Sequence, residues 1–322
     1  MSNIVTAGPA AAGRTQDQPP VRRQRGYPRV RAILAPLPWI GPAIVLIGLV
    51  VIWPIVVMFQ TSFQHITADG INIGSAGWRN FSGVLNNANL PGILLRTVIW
   101  VAVVVGATMF ISLGLAQLFN QRFPGRTVVR WALIAPWAAS VMMTALIFRW
   151  MLDPNNGAIN ILLHQLGILH GFNSNQSAWL ANPDSAMAAM MVVAVFVSVP
   201  FTTYVLLAGL QTIPGELYEA ARVDGASRWE TYRRITLPLL RPAFFIGLVI
   251  NLMNVFNSFP IIWEMTQGGP GYETSTSTIF MYNLKAINVG QSAAMSIVNF
   301  AIVLVIVFAF LRMNRRTLQE AR

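Results

Sequence analysis

The chain has 322 residues, of which 55% are hydrophobic and only 10% are charged, and its mean hydropathy is +0.56. A soluble domain usually carries about 25% charged residues, so this composition is typical of a protein that lies mostly in lipid. The formal charge of +11 does not indicate a nucleic-acid partner, because the basic residues lie between apolar runs and not on one polar domain. The absence of cysteine excludes a disulfide framework, a thiolate metal site and a cysteine nucleophile.

The two ends of the chain are polar and flank one long apolar region. Residues 1–32 are rich in Pro, Gly, Gln and Arg and lack apolar periodicity, which predicts a disordered basic tail in the cytoplasm. Residues 33–314 form the predicted transmembrane domain. Residues 315–322 are predicted to be a cytoplasmic C-terminal tail.

Six apolar runs are long enough to cross a bilayer, which requires a helix of about 20 residues. They contain no Asp, Glu or Lys, and their one charged residue is Arg130. The sequence therefore predicts an all-α polytopic membrane protein with six transmembrane helices. The runs are Leu37–Phe63, Val98–Phe119, Val128–Phe148, Ala186–Leu210, Ala243–Trp263 and Ser292–Leu311.

The basic residues predict the orientation of these helices. The N-terminal tail, the connections after the second and fourth runs, and the C-terminal tail together hold 18 of the 22 lysines and arginines. The side of a membrane protein that carries the excess of Lys and Arg faces the cytoplasm. We therefore expect a multi-pass protein of the cell (inner) membrane with both termini in the cytoplasm.

The connection between the fourth and fifth runs carries helix start and stop signals. Pro214 suits a first helical position and Gly225 a C′ position with positive φ, so a short helix is predicted between them. Ser227 and Glu230 have the spacing of a capping box that starts a second helix. Pro238 is expected to stop this second helix before the fifth run. These signals alone leave open whether the hairpin does more than connect two spans.

Two segments of the chain resemble known motifs. Residues 219–238 read Glu-Ala-Ala-x3-Gly-x9-Ile-x-Leu-Pro, which resembles the EAA loop of binding-protein-dependent ABC importer permeases in full and at the family's spacing. Residues 266–282 read Thr-Gln-Gly-Gly-Pro, then Thr-Ser-Thr-Ile and a tyrosine, and resemble the outer loop of the carbohydrate-uptake branch, in particular the larger maltose-permease subunit type. The chain departs from that branch near Pro260, where the family often has an acidic residue.

The resemblance implies that residues 214–238 form a hairpin that couples the chain to a cytoplasmic ATPase. In such importers the hairpin docks into a cleft on the ATPase and transmits ATP-driven closure to the spans. Small alanines permit close approach to a groove, a leucine supplies an apolar anchor, and charged side chains form rim pairs. The candidate coupling residues are Leu217, Glu219, Ala220, Ala221, Asp224 and Gly225.

The resemblance also implies an assembly that imports a sugar or oligosaccharide. The implied partners are a second permease subunit of different sequence, two cytoplasmic ATPase subunits, an extracytoplasmic sugar-binding protein and the lipid bilayer. ATP and Mg would be bound by the ATPase, so no cofactor is expected in this chain. The alternative is a membrane scaffold or enzyme subunit whose cytoplasmic hairpin binds another soluble protein.

The chain lacks the sequence patterns of energy conversion and catalysis. It has no G-x-x-x-x-G-K-[S/T] phosphate-binding loop, and its six runs have no carboxylate of the kind that proton- or sodium-driven carriers use. The sequence shows no pair of an acid and a base that would indicate an enzyme, so a transport subunit is expected. His65, His164 and His170 lack metal-ligand spacing and are interpreted as ordinary surface histidines.

Polar residues in the fourth and fifth runs mark a possible substrate path. Asn251, Asn254 and Ser258 fall on one predicted helical stripe, with Asn257 about 100° from Ser258. Their amides favour either hydrogen bonds between helices or a face that binds sugar hydroxyl groups, and the sequence does not decide between these. In the fourth run, Ser198 and Thr202 lie beside the helix-bending Pro200. Phe256 or Phe259 is the candidate for an aromatic contact with a sugar ring.

Overall fold

The computed structural model describes residues 37–168 and 178–320. The predicted N-terminal tail, residues 1–32, and His170 lie outside these ranges. The chain divides into two compact units, residues 1–54 and residues 55–322.

In the first unit, helix α1 (Leu37–Ile47) continues into a π turn at Gly48–Ile52. The turn closes where the Trp53 N–H donates to the Gly48 carbonyl, one residue before Pro54. A proline has no N–H for the helical ladder, and its ring crowds the preceding turn. A wider turn before the proline accommodates both effects without ending the helix.

From Trp53 onward, the regular elements in the described ranges are helical apart from one small β-hairpin. Its two strands pair in antiparallel register, Gln64 with Ser75 and Ile66 with Asn72. The elements in chain order are α2 (Trp53–Ser62), β1 (Gln64–Ile66), β2 (Asn72–Ser75), α3 (Arg79–Leu85), α4 (Leu90–Asn120), α5 (Arg126–Trp137), α6 (Val141–Met151), α7 (Ala158–Gln165), α8 (Pro183–Gln211), α9 (Gly215–Val223), α10 (Arg228–Thr231), a π turn (Tyr232–Thr236), α11 (Leu237–Phe256), α12 (Phe259–Thr266), α13 (Ser277–Lys285) and α14 (Val289–Glu320).

Five helical stretches in the described part of the chain are long and apolar enough to cross a membrane. They correspond to the first, second, fourth, fifth and sixth predicted runs, so the protein has the expected all-α polytopic architecture. The five stretches are Trp39–Ser62, Leu90–Asn120, Pro183–Gln211, Arg228–Thr266 and Val289–Phe310.

The prediction of one continuous helix over Val128–Phe148 is wrong. This third run forms α5 and the shorter apolar helix α6, which are separated at residues 138–140. Pro136 lacks a backbone N–H near the end of α5, and Ser140 adopts extended backbone (φ −60°, ψ 140°) before α6 begins. A sixth crossing, formed by α5 and α6 together, stays a prediction.

The fifth run also differs from the expected single helix. It forms α11 and α12, which are separated at Asn257 and Ser258, because Pro260 lies in the first turn of α12 and cannot extend the ladder of α11. The prediction that Pro238 stops a helix is wrong. The π turn precedes it, the Leu237 N–H donates to the Tyr232 carbonyl, and the helix continues into α11, as it does at Pro54.

Helices α4, α8 and α11 pack together at the centre of the second unit. Trp100 of α4 is fully buried, and its Nε1 donates to the Val255 carbonyl at the end of α11 at 3.1 Å. Ser112 Oγ of α4 donates to the Val199 carbonyl at 3.2 Å, beside Pro200 of α8. These two hydrogen bonds hold α8 and α11 against α4. They also give the donor groups partners inside the protein, which polar groups need at membrane depth.

The loop that resembles the outer loop of the carbohydrate branch is packed into the second unit. Gly268 has a φ of +84°, and a Cβ there would overlap Ser275 Oγ and lie 2.7 Å from Ile279 Cγ2. The Ser277 N–H donates to Thr97 Oγ1 of α4 at 2.9 Å. The glycine of this motif is therefore required by close packing as well as by its left-handed backbone.

Candidate substrate pocket and coupling hairpin

The first helix of the hairpin, α9, ends in a Schellman turn. Gly225 has a φ of +74° and stands at the C′ position. Its N–H donates to the Arg222 carbonyl at 3.1 Å, and the Ala226 N–H donates to the Ala221 carbonyl at 2.9 Å. This pattern satisfies carbonyls at the helix end and reverses the chain in one residue. Glycine adopts this backbone at the least cost, because it has no Cβ.

The starts of α9 and α10 differ, because α10 has a side-chain cap and α9 has none. The prediction that Pro214 is the first residue of α9 is wrong. Pro214 is the N-cap of this helix, because its ψ of 135° is extended. At α10, the Glu230 N–H donates to Ser227 Oγ at 3.2 Å and the Ser227 N–H donates to Glu230 Oε2 at 3.0 Å. These two bonds form the capping box that the spacing predicts.

Exposure divides the candidate coupling residues. Ala221 is 6% exposed and packs inside the chain, so its part in close approach to a partner groove stays a prediction. Two apolar side chains that sequence reasoning missed are much more exposed, Val223 at 88% and Trp229 at 66%. Val223 follows Glu219 by four residues and so shares its helical face, a spacing that predicts its exposure. The exposed candidates are Leu217, Glu219, Ala220, Asp224 and Gly225.

A pocket of about 390 Å³ lies between α8, α11 and α12, with α5 and α6 contributing one wall. All six predicted path residues line it. The helical stripe predicted for the fifth run is wrong in one respect, because Asn257 and Ser258 lie at the break between α11 and α12. The lining residues are Trp137, Val141, Val197, Ser198, Phe201, Thr202, Asn251, Asn254, Asn257, Ser258, Pro260 and Ile261.

Asn251 is the most informative polar group of this pocket. Its side chain is 2% exposed, and its Nδ2 is buried without a hydrogen-bond partner among the described residues. Two of the hydroxyl groups instead donate to backbone carbonyls four residues earlier, Thr202 Oγ1 to that of Ser198 at 2.9 Å and Ser258 Oγ to that of Asn254 at 3.3 Å. A buried donor with no partner costs about 1–3 kcal/mol, which a ligand hydroxyl group in the pocket would offset.

The aromatic wall of the pocket comes from residues that sequence reasoning missed. Trp137 at the end of α5 and Phe201 on α8 lie with ring centroids 6.4 Å apart and planes at 21°. The two predicted aromatic candidates do not line the pocket: Phe256 is buried in the core, and Phe259 stacks on Trp263. Trp137 is the last residue of α5, directly before the break. No local sequence pattern predicts that this residue lies beside α8.

The side chains that line the pocket are uncharged. Its polar side chains are amides and hydroxyls, and no charged side chain is among the residues that line it. In the described part of the chain, no three His, Asp or Glu side chains come together as a metal site would need. Neutral amides and hydroxyls beside aromatic rings suit a ligand with several hydroxyl groups and an apolar face.

Comparison with known proteins identifies the family. Residues 108–319 match the family described as binding-protein-dependent transport system inner membrane component. The chain belongs to this family.

Individual relatives agree with this assignment. A probable ABC transporter permease protein of Brucella suis is 37% identical over 87% of this chain and 96% of its own length. The trehalose/maltose transport system permease protein of Thermococcus litoralis is 34% identical over 74% of this chain and 79% of its own length. The fold is similar, with a TM-score of 0.75 and 23% identity over 90% of this chain and 99% of the other, to a bacterial ABC transporter involved in the import of the acidic polysaccharide alginate.

Proposed function

We propose that this protein is the permease subunit of an ATP-driven importer for a sugar or oligosaccharide. The observation that carries the proposal is the uncharged pocket, which is lined by aromatic and amide side chains and by Asn251, whose buried Nδ2 has no hydrogen-bond partner among the described residues. The name of the Thermococcus relative, which concerns trehalose and maltose, supports the same class of cargo. The pocket is then the part of the translocation path that this chain contributes.

The energy for transport comes from a separate ATPase that binds the hairpin. Exposed Leu217, Val223 and Trp229 supply apolar contacts, while Glu219 and Asp224 set the register by pairing with basic groups. The rigid turn at Gly225 passes movement of α9 to α10 and, through the continuous helix, to α11. ATP and Mg are bound by that partner, and this chain itself catalyses no reaction.

The complete importer has more subunits than this one. It contains a second permease chain, two ATPase subunits and an extracytoplasmic sugar-binding protein. The chain crosses the inner membrane with both termini in the cytoplasm, because the basic residues lie on that side.

Copurification separates this function from the alternative, a membrane scaffold or enzyme subunit. A tagged chain isolated from its own membranes in mild detergent should carry an ATPase and a second permease, identified by mass spectrometry. The variant Trp229→Asp should lose the ATPase and keep the second permease, since Trp229 lies on the hairpin. Stable association with a soluble protein that lacks a nucleotide-binding domain, and with no ATPase, would establish the alternative.

A further inference from the structure

A second cavity, of about 630 Å³, lies between the hairpin and the end of α4. It is separate from the substrate pocket and shares no residue with it. Gln117 and Asn120 of α4 line one side, while Arg222 of α9 and Arg228 of α10 line the other. The glycine turn places the two arginines, six positions apart in sequence, beside the same cavity.

The chemistry of this cavity is that of an anion site. Two guanidinium groups line it, no carboxylate does, and neither guanidinium has a hydrogen-bond or ion-pair partner in the part of the chain that the structure describes. Thr231 and Tyr232 add hydroxyl groups. The Gln117 Nε2, near the Tyr232 phenol, is buried and has no partner within hydrogen-bond geometry. Guanidinium and amide donors of this kind match phosphate oxygens, which accept several hydrogen bonds at once.

The charges around the cavity do not oppose an anion. The C-terminal carbonyls of α4, which carry negative partial charge, are bonded by arginines: Arg130 Nη2 donates to the Phe119 carbonyl at 2.6 Å, and Arg126 Nη1 donates to the Gln121 carbonyl at 3.3 Å. Glu230, which lies between Arg228 and Thr231 in sequence, is held in the capping box and does not line the cavity.

We propose that this cavity binds a phosphate group, carried by a small cytoplasmic phosphate ester or by a lipid headgroup. The bound phosphate bridges α4 to the hairpin through Gln117, Arg222 and Arg228, and so holds the hairpin in one position. The effect on transport rests on the proposed coupling function, whereas the binding itself does not.

Equilibrium binding to the purified, assembled importer tests the site. The probe is radiolabelled glucose 6-phosphate, with unlabelled glucose as the neutral competitor. We expect saturable binding that glucose does not displace and that Arg222→Gln with Arg228→Gln weakens at least tenfold. The matched control is Arg233→Gln with Arg234→Gln, which changes two exposed arginines of the same segment that do not line the cavity, and it should leave binding unchanged.

A lipid arm distinguishes the two sources of phosphate. If a headgroup occupies the site, phosphatidylglycerol should stay bound through detergent exchange in the unaltered importer and in the control, and be lost from the Arg222, Arg228 variant. Glucose 6-phosphate should then bind only after delipidation. The proposal is overturned if neither phosphate compound binds or if both arginine pairs weaken binding equally. Failure of sugar uptake with retained phosphate binding would count against the proposed function and not against this site.

Discussion

Asn251 lines the pocket and carries a side-chain donor, Nδ2, that has no hydrogen-bond partner in the described part of the chain. The same side chain is almost completely buried, so water does not freely satisfy it. A buried amide without a hydrogen-bond partner is costly unless a ligand accepts a hydrogen bond from it. This argues for a sugar contact and against a bond between helices, the two readings that the sequence leaves open.

Asn251→Leu should therefore raise the half-saturation concentration for sugar uptake. Loss of one hydrogen bond to a buried sugar hydroxyl group costs about 1–3 kcal/mol, which corresponds to roughly a 5- to 150-fold increase. Initial uptake rates across a sugar concentration series measure it. Asn283→Leu is the control, because Asn283 is an amide of α13 that does not line the pocket. An unchanged half-saturation with a lowered melting temperature would assign Asn251 to helix packing.

Trp137→Leu should weaken uptake through loss of an aromatic face. Aromatic contacts contribute about 0.5–1.5 kcal/mol beyond the area they bury, so the half-saturation should rise roughly 2- to 10-fold. Trp131→Leu on the same helix is the matched control, since Trp131 is exposed and does not line the pocket. Equal effects of the two variants would show that α5 tolerates neither change and that the pocket contact is not responsible.

At the scale of elements, the turn of the hairpin depends on one glycine, and the capping box fixes the start of α10 directly after it. Gly225→Val should uncouple ATP hydrolysis from uptake, because a β-branched residue at positive φ costs about 1–3 kcal/mol and distorts the turn. Gly225→Asn should retain more uptake, since asparagine tolerates this backbone.

Reconstituted ATPase activity and uptake, measured on the same vesicles, check this prediction. The expected result for Gly225→Val is continued hydrolysis with little sugar transport. Full transport in this variant would remove the turn from the coupling path.

The elements that local signals determine could be predicted, and those that depend on distant contacts could not. The Ser227–Glu230 capping box and the positive φ of Gly225 follow from a few adjacent residues. The interruption after Trp137 and the continuation of the helix past Pro238 do not. A proline can end a helix, kink it or be accommodated by a π turn, and the surrounding packing selects among these. For the same reason the polar lining of the pocket could be predicted, whereas the pairing of Trp137 with Phe201 could not.

At the scale of the whole molecule, the distribution of charge predicts the direction in which the chain crosses the membrane. Because the natural chain has no cysteine, single cysteines report position directly. In cells with a permeable outer membrane, Asp69→Cys in the β-hairpin loop should react with an impermeant maleimide. Arg122→Cys, in the connection after α4, should react only after the inner membrane is opened. Labelling of Arg122→Cys in intact cells would contradict the orientation.

The central claim is that ATP hydrolysed by a partner drives a sugar through the pocket of this chain. The most direct measurement is uptake of radiolabelled trehalose and maltose into liposomes that contain the complete importer and its binding protein, with ATP or ADP supplied on the ATPase side. We predict uptake with ATP and none with ADP, together with a raised half-saturation in the Asn251→Leu importer. Uptake that is equal with ATP and ADP, or an Asn251→Leu importer with unaltered sugar dependence, would contradict the account.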